Sequence, residues 1–175
     1  TVRIVLLAAV LFTIATSISF AQVRFLQQKR SIIKDAGMGL LEANGSRIIY
    51  DLNGRWKYRE VGTEIWSEAS VPSSWKGNHR IQFRRDFNIS SEQFRTKTFQ
   101  LVALSISNYC EISINGQFIG KHSGLTSFSF NVSPGILKPG QNRIEIVVHN
   151  ELSTKETVPL YEQLWDRANY GGIIH

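Results

Sequence analysis

The sequence predicts an all-β domain, an antiparallel β-sandwich or jelly roll. Three observations carry that expectation. From Ser46 onward, short runs rich in Ile, Val, Phe, Tyr and Thr recur between Gly, Pro, Asn and Ser. An Asn-Gly pair sits between two alternating runs, and no amphipathic helical period is sustained. Strands are expected at 47–51, 56–60, 81–88, 98–106, 110–114, 117–121, 127–132 and 143–149. Short strands at such spacing bury their apolar faces against one another in a closed or double-layered antiparallel sheet.

Two turns order these strands. In Ile112-Ser113-Ile114-Asn115-Gly116-Gln117-Phe118-Ile119 the Asn-Gly pair predicts a tight hairpin, because both turn residues take positive φ. Lys138-Pro139-Gly140-Gln141-Asn142 is a second turn. It opens onto a strand in which Ile144, Ile146 and Val148 share one face.

The remaining chain divides by composition. Arg3 precedes the apolar run Ile4 to Ala15, and Ser19-Phe20-Ala21 offers small residues at the −3 and −1 positions of a cleavage site. Residues 1–21 therefore read as a secretory signal peptide, with export to a periplasm or the extracellular space. An uncleaved membrane anchor is the other reading, since 4–21 is about long enough to span a bilayer. Residues 22–45 contain Gly37 and Gly39 and few strand signals, so they read as a linker or loosely packed N-terminal arm. The domain proper is expected over 46–175. The opening Thr1 and the apolar close Ile173-Ile174-His175 suggest truncation at both ends.

Composition narrows the function. Hydrophobic residues make up 42% and charged residues 19% of the 175 positions, a globular balance. The net charge of +6 is spread thinly. In its densest cluster Arg84 and Arg85 must point to opposite faces of a strand, so a solvated surface is expected rather than a nucleic-acid site. One cysteine, Cys110, excludes an intramolecular disulfide and a Cys-based zinc site, and reads as a small core residue. His79, His122, His149 and His175 lack i, i+4 pairing, so no metal site is expected. Phosphate loops, nucleophile elbows and dinucleotide fingerprints are missing, and no cofactor is called for. Nothing marks a carboxylate pair such as Glu60 and Glu64 as acid and nucleophile. Asn44, Asn88 and Asn131 begin Asn-x-Ser/Thr sequons, which matter only in a host that glycosylates exported proteins.

A series of motifs is more specific. Asp51-Leu52-Asn53-Gly54-Arg55-Trp56 is followed by Val71-Pro72-Ser73-Ser74-Trp75 and by Phe83-Arg84-Arg85-Asp86-Phe87. Then come Asn115-Gly116-Gln117-Phe118-Ile119-Gly120-Lys121-His122-Ser123-Gly124 and Phe128-Ser129-Phe130. Pro139-Gly140-Gln141-Asn142, Val147-Val148-His149-Asn150 and Asn169-Tyr170-Gly171-Gly172-Ile173 close the series. In this order, over about 46–175, they resemble the N-terminal sugar-binding domain of glycoside hydrolase family 2, which includes β-galactosidases, β-glucuronidases and β-mannosidases. The resemblance implies a galactose-binding-like jelly roll beside an immunoglobulin-like domain and a catalytic TIM barrel. It also implies retaining hydrolysis of β-glycosides by two glutamates of the barrel. The present chain is then expected to hold no catalytic residue and to be inert alone.

The resemblance further implies two candidate sugar contacts, Asp166 and Asn78, and the chemistry of the neighbouring residue adds a third, Trp165. Asp166, six residues before Gly172, matches an acidic family position, where a carboxylate accepts sugar hydroxyls through directional, charge-assisted bonds. Its alternative is a surface aspartate capping a turn. Trp165 beside it could stack on the apolar C–H face of a pyranose. Asn78, nine residues before Phe87, matches an asparagine of some β-galactosidases, although Ile81 stands where a glycine is common. Asn131 replaces the usual aspartate and is taken as structural, while Trp56 and Trp75 are expected to serve core or edge packing. The expected partners are a β-glycoside and the enzyme's own downstream domains, with the membrane added only if the signal segment is uncleaved. A free-standing carbohydrate-binding module and a structural or protein-interaction sandwich are the alternatives.

Overall fold

The computed structural model describes residues 23–27, 48–133, 135–151 and 170–174. Among them the elements are β1 (Phe25–Gln27), β2 (Gly54–Glu60), β3 (Ser67–Val71), β4 (Ser73–Lys76), β5 (Arg80–Ile89), α1 (Ser91–Thr96) and β6 (Phe99–Ala103). After these come β7 (Ile106–Ser107), β8 (Tyr109–Ile114), β9 (Gln117–Ser123), β10 (Phe128–Val132), β11 (Gly140–His149) and β12 (Tyr170–Ile173). A six-stranded sheet runs β3-β2-β5-β11-β8-β9, and a four-stranded sheet runs β1-β4-β12-β7. A two-stranded ribbon pairs β10 with β6. Every pairing is antiparallel, which makes the fold the all-β sandwich that the strand pattern predicts.

The core follows from the period of two. On β11, Ile144, Ile146 and Val148 are buried. In register beside them on β8 are Ile114, Ile112 and Cys110, and beside Ile146 and Val148 on β5 are Phe83 and Ile81. Trp56 and Tyr58 of β2 extend the same layer. Against it pack Trp75, Ile106 and Ile173 of the four-stranded sheet, and Phe99, Leu101, Phe128 and Phe130 of the ribbon. Trp75 is fully buried and stacks on Phe83 with centroids 6.0 Å apart. Both early tryptophans thus serve packing, as expected. Cys110 is buried as well, and burial pushes its thiol up to about 12, far from nucleophilic range.

The hairpin lies where the Asn-Gly pair puts it, with Asn115 at φ 52° and Gly116 at φ 78°. Its register shifts once, between Ile112 and Ser113. Arg84 and Arg85 do point apart. The Arg84 guanidinium lies 3.7 Å from the centroid of the Trp66 ring, while Arg85 donates to the carbonyls of Leu52 and Asn53 at 2.8 and 2.7 Å.

Several elements differ from expectation. Residues 48–51 form no strand. Asp51 accepts the Asn53 N–H, and the Leu52 carbonyl is taken by the Trp56 indole and Arg85, so side chains capture groups a ladder would need. The expected run 98–106 divides into β6 and the start of β7, which belong to different sheets. Within the expected arm, Phe25–Gln27 pairs with β4, and Phe25 meets Tyr58 edge-on at 4.5 Å. The Ser-rich β3 and β4 and the Gly-containing β12 carry weak strand propensity and form through their partners. α1 is a single capped turn, in which Ser90 and Gln93 form a reciprocal capping box. Among the described residues no helix is long and apolar enough to cross a membrane.

Candidate functional site

The candidate contact that falls within the described residues is Asn78, and the topology gives it a defined setting. It lies exposed in the three-residue connection, 77–79, between β4 and β5. The flanking residues are paired elsewhere. Lys76 stands opposite Tyr170, the first residue of β12, and Arg80 stands opposite His149, the last residue of β11. His149 also pairs with Tyr109 at the start of β8, which pairs with Ser123 at the end of β9. One end of the sandwich therefore gathers the 77–79 connection, the ends of β2, β9 and β11, and the starts of β8 and β12.

Short-range bonds fix the backbone there. The Asn150 carboxamide accepts from the His79 N–H at 3.1 Å and donates to the Gly77 carbonyl at 2.8 Å. The His79 ring places Nδ1 3.0 Å from Glu60 Oε1. The Val61 N–H donates to the Arg80 carbonyl at 2.8 Å, and Ser107 Oγ donates to the Tyr170 carbonyl at 2.7 Å. The result is a polar loop whose backbone is held from beneath by the buried Asn150, with Asn78 an exposed residue of the loop. At the same end, Val61, Ile65 and Tyr170 are apolar or aromatic side chains with large exposure. A carboxamide offers two donors and an acceptor, and exposed apolar groups offer contact to C–H surfaces. That combination suits a ligand with both hydroxyls and C–H faces.

Trp165 and Asp166, the other two candidates, lie outside the described residues. The described chain on either side reaches the same end of the sandwich, at Glu151 after β11 and at Tyr170 opening β12. Asn131 is exposed on β10, opposite Gln100 of the ribbon. Among the described residues no group of three or more His, Cys, Asp or Glu could hold a metal ion. Sequence reasoning assigned no role to Asn150, His79 or Glu60. The available signal was the position of Asn150 directly after an alternating strand, where a short amide side chain caps neighbouring backbone.

A family model described as glycosyl hydrolase 2 galactose-binding domain-like matches residues 61–167, more than half of the chain. No curated protein sequence matches. Among solved structures, a β-D-glucuronidase of Dictyoglomus thermophilum is similar with a TM-score of 0.60 and 23% identity, over 64% of this chain and 21% of that one. A Bifidobacterium dentium β-glucuronidase solved with coumarin-3-O-glucuronide gives 0.58 and 22%, over 65% of this chain and 22% of that one. A β-D-mannosidase of D. thermophilum gives 0.56 and 19%, over 71% and 21%. At these identities the likeness is one of fold. The chain spans about a fifth of the length of each of these structures.

Proposed function

The chain belongs to the glycosyl hydrolase 2 galactose-binding domain-like family, and on that premise we propose that it is the accessory domain of an exported, retaining β-glycosidase whose acid and nucleophile lie in other domains. Its task is to shape the rim of the active site and to support the catalytic domain rather than to cleave bonds. The observation that carries this reading is proportion. A family match over most of one sandwich coincides with about a fifth of glycosidases that act on glucuronides and mannosides. That is the share expected of one accessory module.

The sugar-facing part is proposed to be the end of the sandwich that holds Asn78, joined by Asp166 and Trp165. Asp166 stands only four residues before Tyr170, a spacing that spans at most ~14 Å of chain. A carboxylate, a carboxamide and an indole together meet the hydroxyls and the apolar face of a pyranose. Export rests on residues 1–21, whose apolar run and small −3 and −1 residues have the layout of a cleaved signal.

Hydrolysis assays of the purified chain test the accessory role. Aryl β-galactosides, β-glucuronides and β-mannosides should all remain uncleaved. Turnover above the buffer blank that survives Asp166→Ala would put chemistry in this domain and defeat the proposal.

A further inference from the structure

We propose that the outward face of the six-stranded sheet carries a binding surface for an acidic saccharide. Trp66 is the platform for a pyranose ring, and Arg84 with Lys57 holds its carboxylate or sulfate. Strand alternation puts these residues on one side. On β2, Arg55, Lys57 and Arg59 alternate with the buried Trp56 and Tyr58. On β5, Gln82 and Arg84 alternate with the buried Ile81 and Phe83. Lys57 and Arg84 are direct cross-strand partners. Trp66, the residue before β3, brings its ring centroid to 3.7 Å from the Arg84 guanidinium carbon and 4.8 Å from that of Arg59. Ile65 beside it is 71% exposed.

Like charges set opposite each other in a ladder repel, and other cations of this face are each matched by a carboxylate. Arg55 pairs with Glu68 at 3.6 Å, Arg59 with Glu64 at 3.3 Å and Arg143 with Asp86 at 2.7 Å. Lys57 and Arg84 have acidic cross-strand neighbours too, Glu68 and Glu145. Those carboxylates turn elsewhere, Glu68 to Arg55 and Glu145 to the Gln82 amide at 3.3 Å. Neither Lys57 nor Arg84 forms a hydrogen bond or salt bridge with another of the described residues. An anion seated between them relieves the repulsion, and the Arg84 fork matches the paired oxygens of a carboxylate or sulfate. Arg59 has a different task. Its Nε donates to Gln82 Oε1 at 2.8 Å and its Nη1 to the Thr63 carbonyl at 3.2 Å, which fixes it beside Trp66. A flat indole with an exposed aliphatic neighbour suits the C–H face of a sugar, which an acidic peptide does not present. Binding at this face is separate from hydrolysis, so it stands or falls apart from the accessory role.

The test is calorimetric titration of the full-length protein that carries this domain, using α-linked chains that a β-glycosidase leaves intact. The probes are hexagalacturonate, sulfated maltohexaose, plain maltohexaose and a hexaglutamate peptide. At least one of the two acidic saccharides should bind, and the tighter of them names the substituent. Maltohexaose should bind about tenfold more weakly or worse, and added salt should weaken the acidic ligand. Arg84→Gln and Lys57→Gln should each raise its Kd by about fivefold or more, at melting temperatures equal to the parent's. Trp66→Ala should cost about tenfold, and Trp66→Phe, which keeps a ring and the fold, should recover most of it. Arg55→Gln removes the same charge from the same face at an already paired cation, and should change Kd by less than about twofold. An Arg55→Gln loss equal to that of Arg84→Gln would reduce the effect to diffuse charge and overturn the site. Equal binding of maltohexaose, or no acidic saccharide bound at millimolar concentration, overturns it as well. Hexaglutamate held as tightly through the same residues would make the partner an acidic protein segment and defeat the saccharide assignment.

Discussion

The indole of Trp75 lies directly on the backbone of Gly171. A Cβ built at Gly171 would sit 2.3 Å from Trp75 Cζ2 and 2.7 Å from its Nε1. Trp75 is fully buried and stacked against Phe83, with Phe25 edge-on at 5.8 Å, so the ring has nowhere to retreat. The two residues are also direct partners in the β4–β12 ladder. The first glycine of the Tyr-Gly-Gly-Ile motif is therefore a packing requirement.

Gly171→Ala should accordingly destabilise the domain by about 2 kcal/mol or more, on the scale of overpacking in a closed core. Denaturant unfolding measures it, with Trp fluorescence as the probe. An unchanged midpoint would mean that Trp75 and Gly171 are not in contact.

The Asn115-Gly116 turn should be sensitive at both positions, for different reasons. Gly116 has φ +78° with open space around it, so Gly116→Val is penalised by backbone conformation alone, by about 1–3 kcal/mol. Asn115 does more than turn the chain. Its Nδ2 donates to the Ile136 carbonyl and to Asn142 Oδ1, both at 2.8 Å, and its Oδ1 accepts from the Arg143 N–H at 2.9 Å. Asn115→Ala loses all three and leaves part-buried groups unpaired, for a further cost of about 1–3 kcal/mol. Thermal unfolding of the two variants would give equal melting temperatures to parent and mutants only if the hairpin were elsewhere.

The pair Arg143–Asp86 crosses from β11 to β5 with Nε 2.7 Å from Oδ1, and Gln141 adds a bond to Oδ2 at 3.1 Å. The hydrogen bond from Arg143 is the main cause that lowers the Asp86 carboxyl below its ordinary 3.8. A depressed folded value stabilises the protein above the unfolded value and loses that contribution as pH falls through the folded one. Both side chains are largely solvated, so Asp86→Asn should cost less than about 1 kcal/mol at neutral pH. The difference from parent should close as pH falls through the lowered carboxyl value of the folded state and shrink in about 1 M salt. A penalty that persists undiminished in acid would show that charge is not its source.

Asp166→Asn, in the enzyme that carries this domain, should lower kcat/KM by about one to three orders of magnitude. The change keeps side-chain shape while removing the charge and one acceptor. Parent and variant must melt at the same temperature for the comparison to count. Kinetics within about twofold of the parent would reduce Asp166 to a solvated surface carboxylate.

How much of this was legible beforehand divides along physical lines. Alternation of apolar side chains, the Asn-Gly turn and the single cysteine are local properties. They determined an all-β sandwich, the β8–β9 hairpin, the buried face of β11 and a buried Cys110. The ordered motifs carried the family. Tertiary structure alone decided β3, β4 and β12, because Ser- and Gly-containing segments become strands only when a partner ladder satisfies their backbone. It likewise split 98–106 between two sheets and turned 48–53 into a side-chain-capped bend. The candidate site follows the same rule. Asn78 could be named from the family resemblance, but Asn150 lies seventy-two positions away from it, and the bond from its amide to Gly77 spans 73 positions. Such a contact exists only once β11 has paired with β5 along its whole length, and no one-dimensional spacing encodes it.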